Sequence, residues 1–69
     1  MEFCTIVKRI RKELGFSQEQ LARGLGISFS TVNRWENGKS YPSQMAKELF
    51  YSFCKDKNID INFYVKGEV

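Results

Sequence analysis

The chain is 69 residues long, contains no histidine and two cysteines, and carries a net charge of +3. That length allows one domain with one small core, so a partner or a second copy would add useful stability. Cys4 and Cys54 lie far apart without a CxxC spacing, which argues against a zinc site, and no nucleophile with an activating base, paired-carboxylate cleft or phosphate loop supports an enzyme.

An apolar stripe at helical spacing predicts a first helix that ends at Gly15. The stripe consists of Phe3, Ile6, Val7, Ile10 and Leu14. Lys8, Arg9 and Lys12 lie off this stripe, so they are expected at the surface. Contact of a few of them with phosphate is one alternative, and solvation is the commoner outcome.

A second predicted helix has a well-defined start. Ser17 is a helix N-cap, and Gln20, three residues later, is placed to bond back to the Ser17 N–H in a capping box. Phe16 and Leu21 form a hydrophobic staple across the first turn. Gly26 is expected to end the helix, because glycine readily adopts the left-handed conformation that turns the chain sharply.

A third helix is predicted to begin at about Phe29. Ser28 repeats the N-cap, and Ile27 with Val32 repeats the staple. Val32 and Trp35 share the inner face of this helix. The inner face of the second helix is expected to pack against them, and it consists of Leu21, Ala22 and Leu25.

The outer face of the third helix carries four side chains that suit base edges, namely Phe29, Ser30, Asn33 and Arg34. Arginine binds guanine bidentately, asparagine pairs with adenine, serine bonds several bases, and phenylalanine contacts the thymine methyl group. An ordinary solvated helix face is the alternative. Phe29 argues against that alternative, because an exposed phenylalanine usually has a contact to make.

Pro42 interrupts the chain, and Ser43 is again an N-cap that predicts a fourth helix running to about Lys57. Its apolar positions are Met45, Ala46, Leu49, Phe50 and Phe53. This helix is expected to close the core over Leu14 and Trp35.

From Ile59 onwards, the alternation of apolar and polar residues predicts a strand. Its apolar positions are Ile59, Ile61, Phe63 and Val65. A single strand requires a partner, and three are open: a second copy across a two-fold axis, the N-terminal residues of the same chain, or a different protein. A frayed terminus is the simpler alternative.

The segment LGFSQEQLARGLGISFSTVNRWENGKSYPS resembles the phage repressor and Cro type of helix-turn-helix domain, also called the xenobiotic-response-element family. The most specific pieces are SQEQLA at the start of the second helix, GIS at the turn and RWENGK-x-x-P at the end of the third helix, in register within about residues 6–53. The resemblance implies a mainly α, compact four-helix, lambda-repressor-like domain over residues 1–58, with motif helices at about 18–25 and 29–37. For residues 59–69 the resemblance favours a helical dimer surface, whereas the alternating pattern favours a strand, so this segment is expected to be a strand or a dimerisation tail.

The resemblance also implies roles for individual residues. Base contacts are expected from Phe29, Ser30, Asn33 and Arg34. Phosphate contacts are expected from Gln18, Ser28, Asn37 and Lys39. A partly buried structural ion pair is expected between Arg11 and Glu36, with two unrelated surface charges as the alternative.

Three features depart from the family pattern. Family members often carry glutamine or arginine where this chain has Phe29 and Ser30, so the base preference at these positions is not inherited. Gly24 lies inside the second helix, at a cost of about 1 kcal/mol relative to alanine, and no function follows for it from the sequence. The fifth helix common in the family is hard to find.

The function implied is that of a sequence-specific, DNA-binding transcriptional regulator of bacteria or phages. Repression, by a homodimer on a pseudo-palindromic operator, is the simplest output. The excess positive charge lies in residues 1–39, with the motif, as contact with phosphate requires. No cofactor is expected. Without a signal peptide or a membrane-spanning stretch, a cytoplasmic location is expected.

Two other functions are consistent with the sequence. The chain could be an antitoxin or adaptor that binds a partner protein through residues 59–69 and regulates its own synthesis through DNA binding. It could also be an accessory domain of a longer chain, such as a restriction or methylation enzyme. The Met1 start and the short tail permit this function but do not favour it.

Overall fold

The computed structural model describes residues 2–61, which form four helices. In chain order these are α1 (Phe3–Glu13), α2 (Gln18–Leu25), α3 (Phe29–Glu36) and α4 (Gln44–Asp56). The mainly helical fold predicted from the sequence is confirmed, and none of the described residues lies in a strand. No helix in this part of the chain is both long and apolar enough to cross a membrane.

Serine N-caps define the starts of three helices. The Ser17 N–H donates to Gln20 Oε1 at 2.7 Å, and Ser17 Oγ accepts from the Gln20 N–H at 3.1 Å, which is the predicted capping box. Ser28 Oγ accepts from the Thr31 N–H at 3.2 Å, and Ser43 caps α4 in the same way. Each cap stabilises its helix by about 1 kcal/mol, so even these short helices begin at defined residues.

Gly26 turns the chain from α2 into α3. Its φ of 73° is left-handed, as predicted, and its N–H donates to the carbonyl of Arg23 at 3.2 Å. The N–H of Ile27 reaches back to the carbonyl of Ala22 at 3.0 Å, so two carbonyls at the end of α2 are satisfied within the turn. The chain thereby passes from one motif helix to the next in three residues.

The core is centred on an aromatic group contributed by three helices. Phe3 of α1 lies edge-on to Trp35 of α3, with ring centroids 5.4 Å apart, and edge-on to Phe50 of α4, with centroids 5.5 Å apart. Edge-to-face pairs add about 0.5–1.5 kcal/mol to the stabilisation from burial. The buried apolar residues around this group are Ile6, Val7, Ile10, Leu21, Ala22, Leu25, Val32 and Cys54.

Both cysteines lie at least partly inside the protein. Cys4 is half-buried and Cys54 is buried, and both are free thiols. Burial raises the pKa of the Cys54 thiol to about 11, because the charged thiolate loses its hydration. Cys54 therefore remains protonated and acts as a small apolar member of the core.

The strand predicted to start at Ile59 is not present in residues 59–61. Asn58 adopts a left-handed conformation with φ of 61°, and the Ile59 N–H donates to the carbonyl of Cys54 at 2.9 Å. This turn at the end of α4 lets Ile59 and Ile61 pack against the core. The rest of the predicted strand, residues 62–69, lies outside the described residues.

Gly24 has a packing role that the sequence did not reveal. A Cβ added to Gly24 would lie 2.9 Å from Cε1 and 3.3 Å from Cζ of Phe53. The phenyl ring of α4 thus rests directly on the backbone of α2. Glycine at this position is explained by the close approach of two helices and requires no separate function.

Gly24→Ala is therefore expected to lower the free energy of unfolding by up to about 2 kcal/mol. Helix propensity favours alanine by about 1 kcal/mol, whereas overpacking against the ring costs about 1–3 kcal/mol. Urea unfolding measures the difference. In a Phe53→Leu background, where the side chain is shorter, the same change should stabilise the domain. Equal stabilisation by alanine in both backgrounds would show that the ring does not restrict this position.

Candidate nucleic-acid interface

The helix α3 packs its inner face against α2 and α1 and leaves its outer face exposed. Val32 and Trp35 are buried, with at most 3% of their surface exposed. On the opposite side, Phe29 is 51% exposed, and Ser30 and Arg34 are exposed as well. Three of the four predicted base-contacting side chains therefore project from one helix face into solvent.

Asn33, the fourth predicted base contact, is half-buried and hydrogen-bonded within the protein. Its Nδ2 donates to Gln18 Oε1 at 3.0 Å, and its Oδ1 accepts from Asn37 Nδ2 at 3.1 Å. A carboxamide has two N–H donors and an oxygen with two lone pairs, so each atom retains capacity for one more bond. These contacts fix the orientation of the Asn33 amide.

Gln18, a predicted phosphate contact at the start of α2, links Asn33 to a buried carboxylate. Besides accepting from Asn33, the Gln18 side chain donates from Nε2 to Glu36 Oε1 at 3.1 Å. Gln18 is itself half-buried. Both atoms of its amide are thus used in joining α2 to α3.

Glu36 and Arg11 form the predicted pair in a nearly dry environment. Arg11 Nε donates to Glu36 Oε2 at 2.6 Å, and Arg11 Nη2 donates to Glu36 Oε1 at 3.0 Å. The Glu36 side chain is only 1% exposed and that of Arg11 16% exposed. The hydrogen bond to Glu36 raises the pKa of Arg11, although desolvation opposes the shift. A third donor bond runs from Arg11 Nη1 to the carbonyl of Phe16 at 2.9 Å.

These side chains form one connected set, the Glu36 network, which consists of Arg11, Gln18, Asn33, Glu36 and Asn37. It joins α1, the first residue of α2, and both the middle and the end of α3. Among the described residues, no buried side-chain nitrogen or oxygen lacks a hydrogen-bond partner. The network therefore holds α3 against the rest of the domain through satisfied polar contacts as well as apolar packing.

The remaining predicted phosphate contacts flank α3. Ser28 is exposed at its N-terminus, where its Oγ also lies 2.8 Å from Thr31 Oγ1. Asn37 caps the C-terminus of α3, and Gly38 follows with a left-handed φ of 70°. The N–H of Lys39 then donates to the carbonyl of Arg34 at 3.0 Å, and the Lys39 residue is exposed. Polar groups thus border both ends of the exposed helix face.

Sequence reasoning missed the bonds of Gln18 to Asn33 and Glu36. Gln18 and Glu36 are 18 residues apart, so no local spacing connects them. The Asn33–Asn37 contact has the four-residue spacing of helix neighbours and could have been predicted from that spacing.

The helix pair with its short glycine turn and its exposed second helix is the arrangement of a helix-turn-helix motif. The helix-turn-helix family model matches residues 7–46, which are more than half of the chain. The chain belongs to the phage-repressor and Cro type of helix-turn-helix family. This assignment confirms the resemblance found in the sequence.

Several curated proteins are similar to this helix-turn-helix chain. The HTH-type transcriptional activator BcrR of Enterococcus faecalis is 34% identical over 68 residues, which are 99% of this chain and 32% of that protein. An uncharacterized HTH-type transcriptional regulator of Methanothermobacter thermautotrophicus is 41% identical over 39 residues, covering 56% of each chain. The type II methyltransferase M1.ScrFI of Lactococcus lactis is 38% identical over 47 residues, covering 64% of this chain and 12% of the enzyme.

The matched regions therefore span between 12% and 56% of these three relatives, so the likeness covers only part of each of them. No solved structure gave a significant match. The family assignment and the named regulators support a DNA-binding transcriptional regulator.

Two of the ion pairs among the described residues, Arg11–Glu36 and Arg23–Glu19, differ in burial and provide a matched test. Arg11→Met is expected to lower the free energy of unfolding by about 3–5 kcal/mol, because it leaves the buried Glu36 carboxylate without its cationic partner. Arg23→Met removes the same charge from a pair with Glu19 whose side chains are 78% and 65% exposed. That change should cost less than about 0.5 kcal/mol.

Chemical unfolding of both variants measures the difference. Because Arg11→Met could leave too little folded protein to measure, Arg11→Met with Glu36→Leu provides a second measurement. Replacing both charges by apolar groups should recover most of the stability, since no buried charge then remains unpaired. Similar losses for Arg11→Met and Arg23→Met would contradict a structural role for the Glu36 network.

Proposed function

We propose that the chain is a sequence-specific DNA-binding regulator of transcription that binds a pseudo-palindromic operator as a homodimer. The observation that carries the proposal is the exposed outer face of α3, where Phe29, Ser30 and Arg34 project together from a helix held by the Glu36 network. Docked in a major groove, this face meets base edges with side chains suited to read them. The proposal assigns the chain binding and no catalysis.

Each side chain of that face has a distinct use in the groove. Arg34 is assigned a bidentate contact with guanine, Ser30 a hydrogen bond to a neighbouring base, and Phe29 the methyl group of a thymine. Asn33 retains one N–H and one lone pair for a base edge, and its bonds to Gln18 and Asn37 keep the amide in one orientation. Pre-organisation of this kind lowers the entropic cost of binding.

The phosphate contacts divide between backbone and side chains. The Gln18 amide is already used in the Glu36 network, so its proposed contribution is the backbone N–H at the start of α2. The first N–H groups of a helix have no partner within the helix, and they point toward an anion with the positive end of the helix dipole. Ser28 is assigned a backbone N–H contact at the start of α3. Asn37 and Lys39 are assigned side-chain contacts after the end of that helix.

A homodimer is supported by exposed apolar side chains on and before α4. Tyr41, which precedes the helix, is 85% exposed, and on α4 Met45 is 80% and Leu49 41% exposed. Met45 and Leu49 are four residues apart and therefore lie on one face of α4. Apolar side chains grouped in this way on a small domain suit a contact with a second copy. Half-sites on the operator would then be about 34 Å apart, one turn of the duplex.

Repression by occupation of a promoter is the proposed output, because binding alone is sufficient for it. Activation is a second candidate, since the relative named as a transcriptional activator is 34% identical over 99% of this chain. A reporter gene separates the two. Repression predicts lower expression when the operator overlaps the promoter and no change when it lies upstream, whereas activation predicts higher expression from the upstream position.

A protein partner held by residues 59–69, as in an antitoxin or adaptor, stays an alternative proposal. Most of that segment lies outside the described residues. A protein that co-purifies with the full chain and is lost when residues 62–69 are removed would favour it over the regulator.

Arg34→Ala tests the base-reading proposal. On a duplex that the protein selects from random sequences, affinity is expected to fall by about 1–3 kcal/mol, or about 5- to 150-fold, with relaxed preference at one base position. On unselected DNA the loss should be smaller, because only a charge is removed there. Filter-binding or fluorescence titration at fixed salt measures both affinities.

Lys55→Ala is the matched control, because Lys55 is an exposed cation of α4 outside the two motif helices. It should leave the preference for the selected duplex unchanged. Equal losses on selected and unselected DNA for Arg34→Ala would mean that Arg34 contacts only the backbone.

A further inference from the structure

An open groove beside α1 carries cations that are not among the DNA contacts proposed above. It has a volume of about 280 Å³ and is lined by Cys4, Thr5, Lys8, Arg9, Lys12 and Glu36. All three of its cations belong to α1 and are exposed to solvent. We call this surface the α1 groove.

The residues that line the α1 groove include three cations and one carboxylate, that of Glu36. The carboxylate of Glu36 already accepts two bonds from Arg11 and one from Gln18, so its charge is compensated within the Glu36 network. Neither the Arg11–Glu36 pair nor the exposed Arg23–Glu19 pair uses Lys8, Arg9 or Lys12. Three cations without these partners therefore surround one concave surface, which favours an anionic ligand.

The α1 groove adjoins the predicted phosphate contacts after α3. Glu36, which forms one wall, directly precedes Asn37 in the chain. Cys4, another lining residue, has its Sγ 4.0 Å from the position that a Cβ on Gly38 would occupy. Gly38 separates Asn37 from Lys39, so the groove begins beside the turn assigned to the DNA backbone.

Lys8 and Lys12 extend this surface away from the turn. They are four residues apart, so they lie on one face of α1 about one helical turn, or about 6 Å, from each other. Successive phosphates along one DNA strand are separated by a similar distance. A DNA strand held at Asn37 and Lys39 would thus meet two further cations, Lys8 and Lys12, at the spacing of its phosphates.

We propose that the α1 groove binds backbone phosphates of the DNA that α3 reads, through Lys8 and Lys12 with Arg9 beside them. This inference rests on the proposed function and extends its contact surface from the motif helices to α1. The contacts are independent of base sequence, because lysine meets a phosphate as a point charge. They add affinity and salt dependence without altering the preferred sequence.

The salt dependence of binding tests the inference. The logarithm of the binding constant falls with the logarithm of salt concentration by about 0.9 for each phosphate neutralised on duplex DNA. Lys8→Gln and Lys12→Gln should each reduce that slope by about 0.9, on selected and unselected duplexes alike. Over a fourfold rise in salt, the affinity of the unmodified protein should therefore fall by a factor about 3.5 times larger than that of each variant.

Lys47→Gln and Lys55→Gln are the controls, because they remove equal charges from α4. They should leave the slope within experimental error of that of the unmodified protein. Both groove lysines are exposed, and circular dichroism with thermal unfolding verifies that all four variants remain folded.

The outcomes separate this inference from the proposed function. If the unmodified protein selects a DNA sequence but the groove variants keep its full slope, the α1 groove does not contact phosphate and the inference is overturned, while the regulator stands. If the variants bind DNA normally but lose repression or activation in the reporter assay, the groove contacts an acidic protein surface instead, which also overturns it. If the unmodified protein binds no DNA, the proposed function itself fails.

Discussion

The buried carboxylate of Glu36 is the constraint on which the reading surface depends. A charge that is almost entirely removed from water is stable only when charged or polar donors surround it, and here Arg11 and Gln18 supply three bonds. Those donors come from α1 and from the first residue of α2, whereas the carboxylate belongs to α3. Satisfying one charge therefore fixes three helices relative to one another.

This constraint also determines which side chains of α3 are free. Asn33 and Asn37 continue the Glu36 network along the helix, so their amides are oriented, while Phe29, Ser30 and Arg34 remain exposed. The apolar contacts of Val32 and Trp35 on the opposite face set the depth of the helix in the domain. Rigid support beneath a small set of exposed polar side chains is what a selective DNA reader requires, because misplacement of base-contacting groups weakens discrimination.

Much of the fold followed from local sequence signals. The serine caps and Gly26 act on neighbours within a few residues, so the starts of α2, α3 and α4 could be predicted from spacing alone. Contacts between distant residues could not be derived in that way. Gly24 meets Phe53 from 29 positions away, and Gln18 meets Glu36 across the motif turn. The Arg11–Glu36 pair was predicted only through family resemblance. At Ile59, the alternating pattern favoured a strand, but the left-handed turn at Asn58 packs Ile59 and Ile61 on the core.

Selection of bound duplexes from a random pool at near-physiological salt shows whether the outer face of α3 reads DNA sequence. We expect enrichment of one sequence with two-fold symmetry and half-site centres about one helical turn apart. Binding without enrichment of any sequence would contradict it, because a positively charged surface alone attracts all duplexes equally.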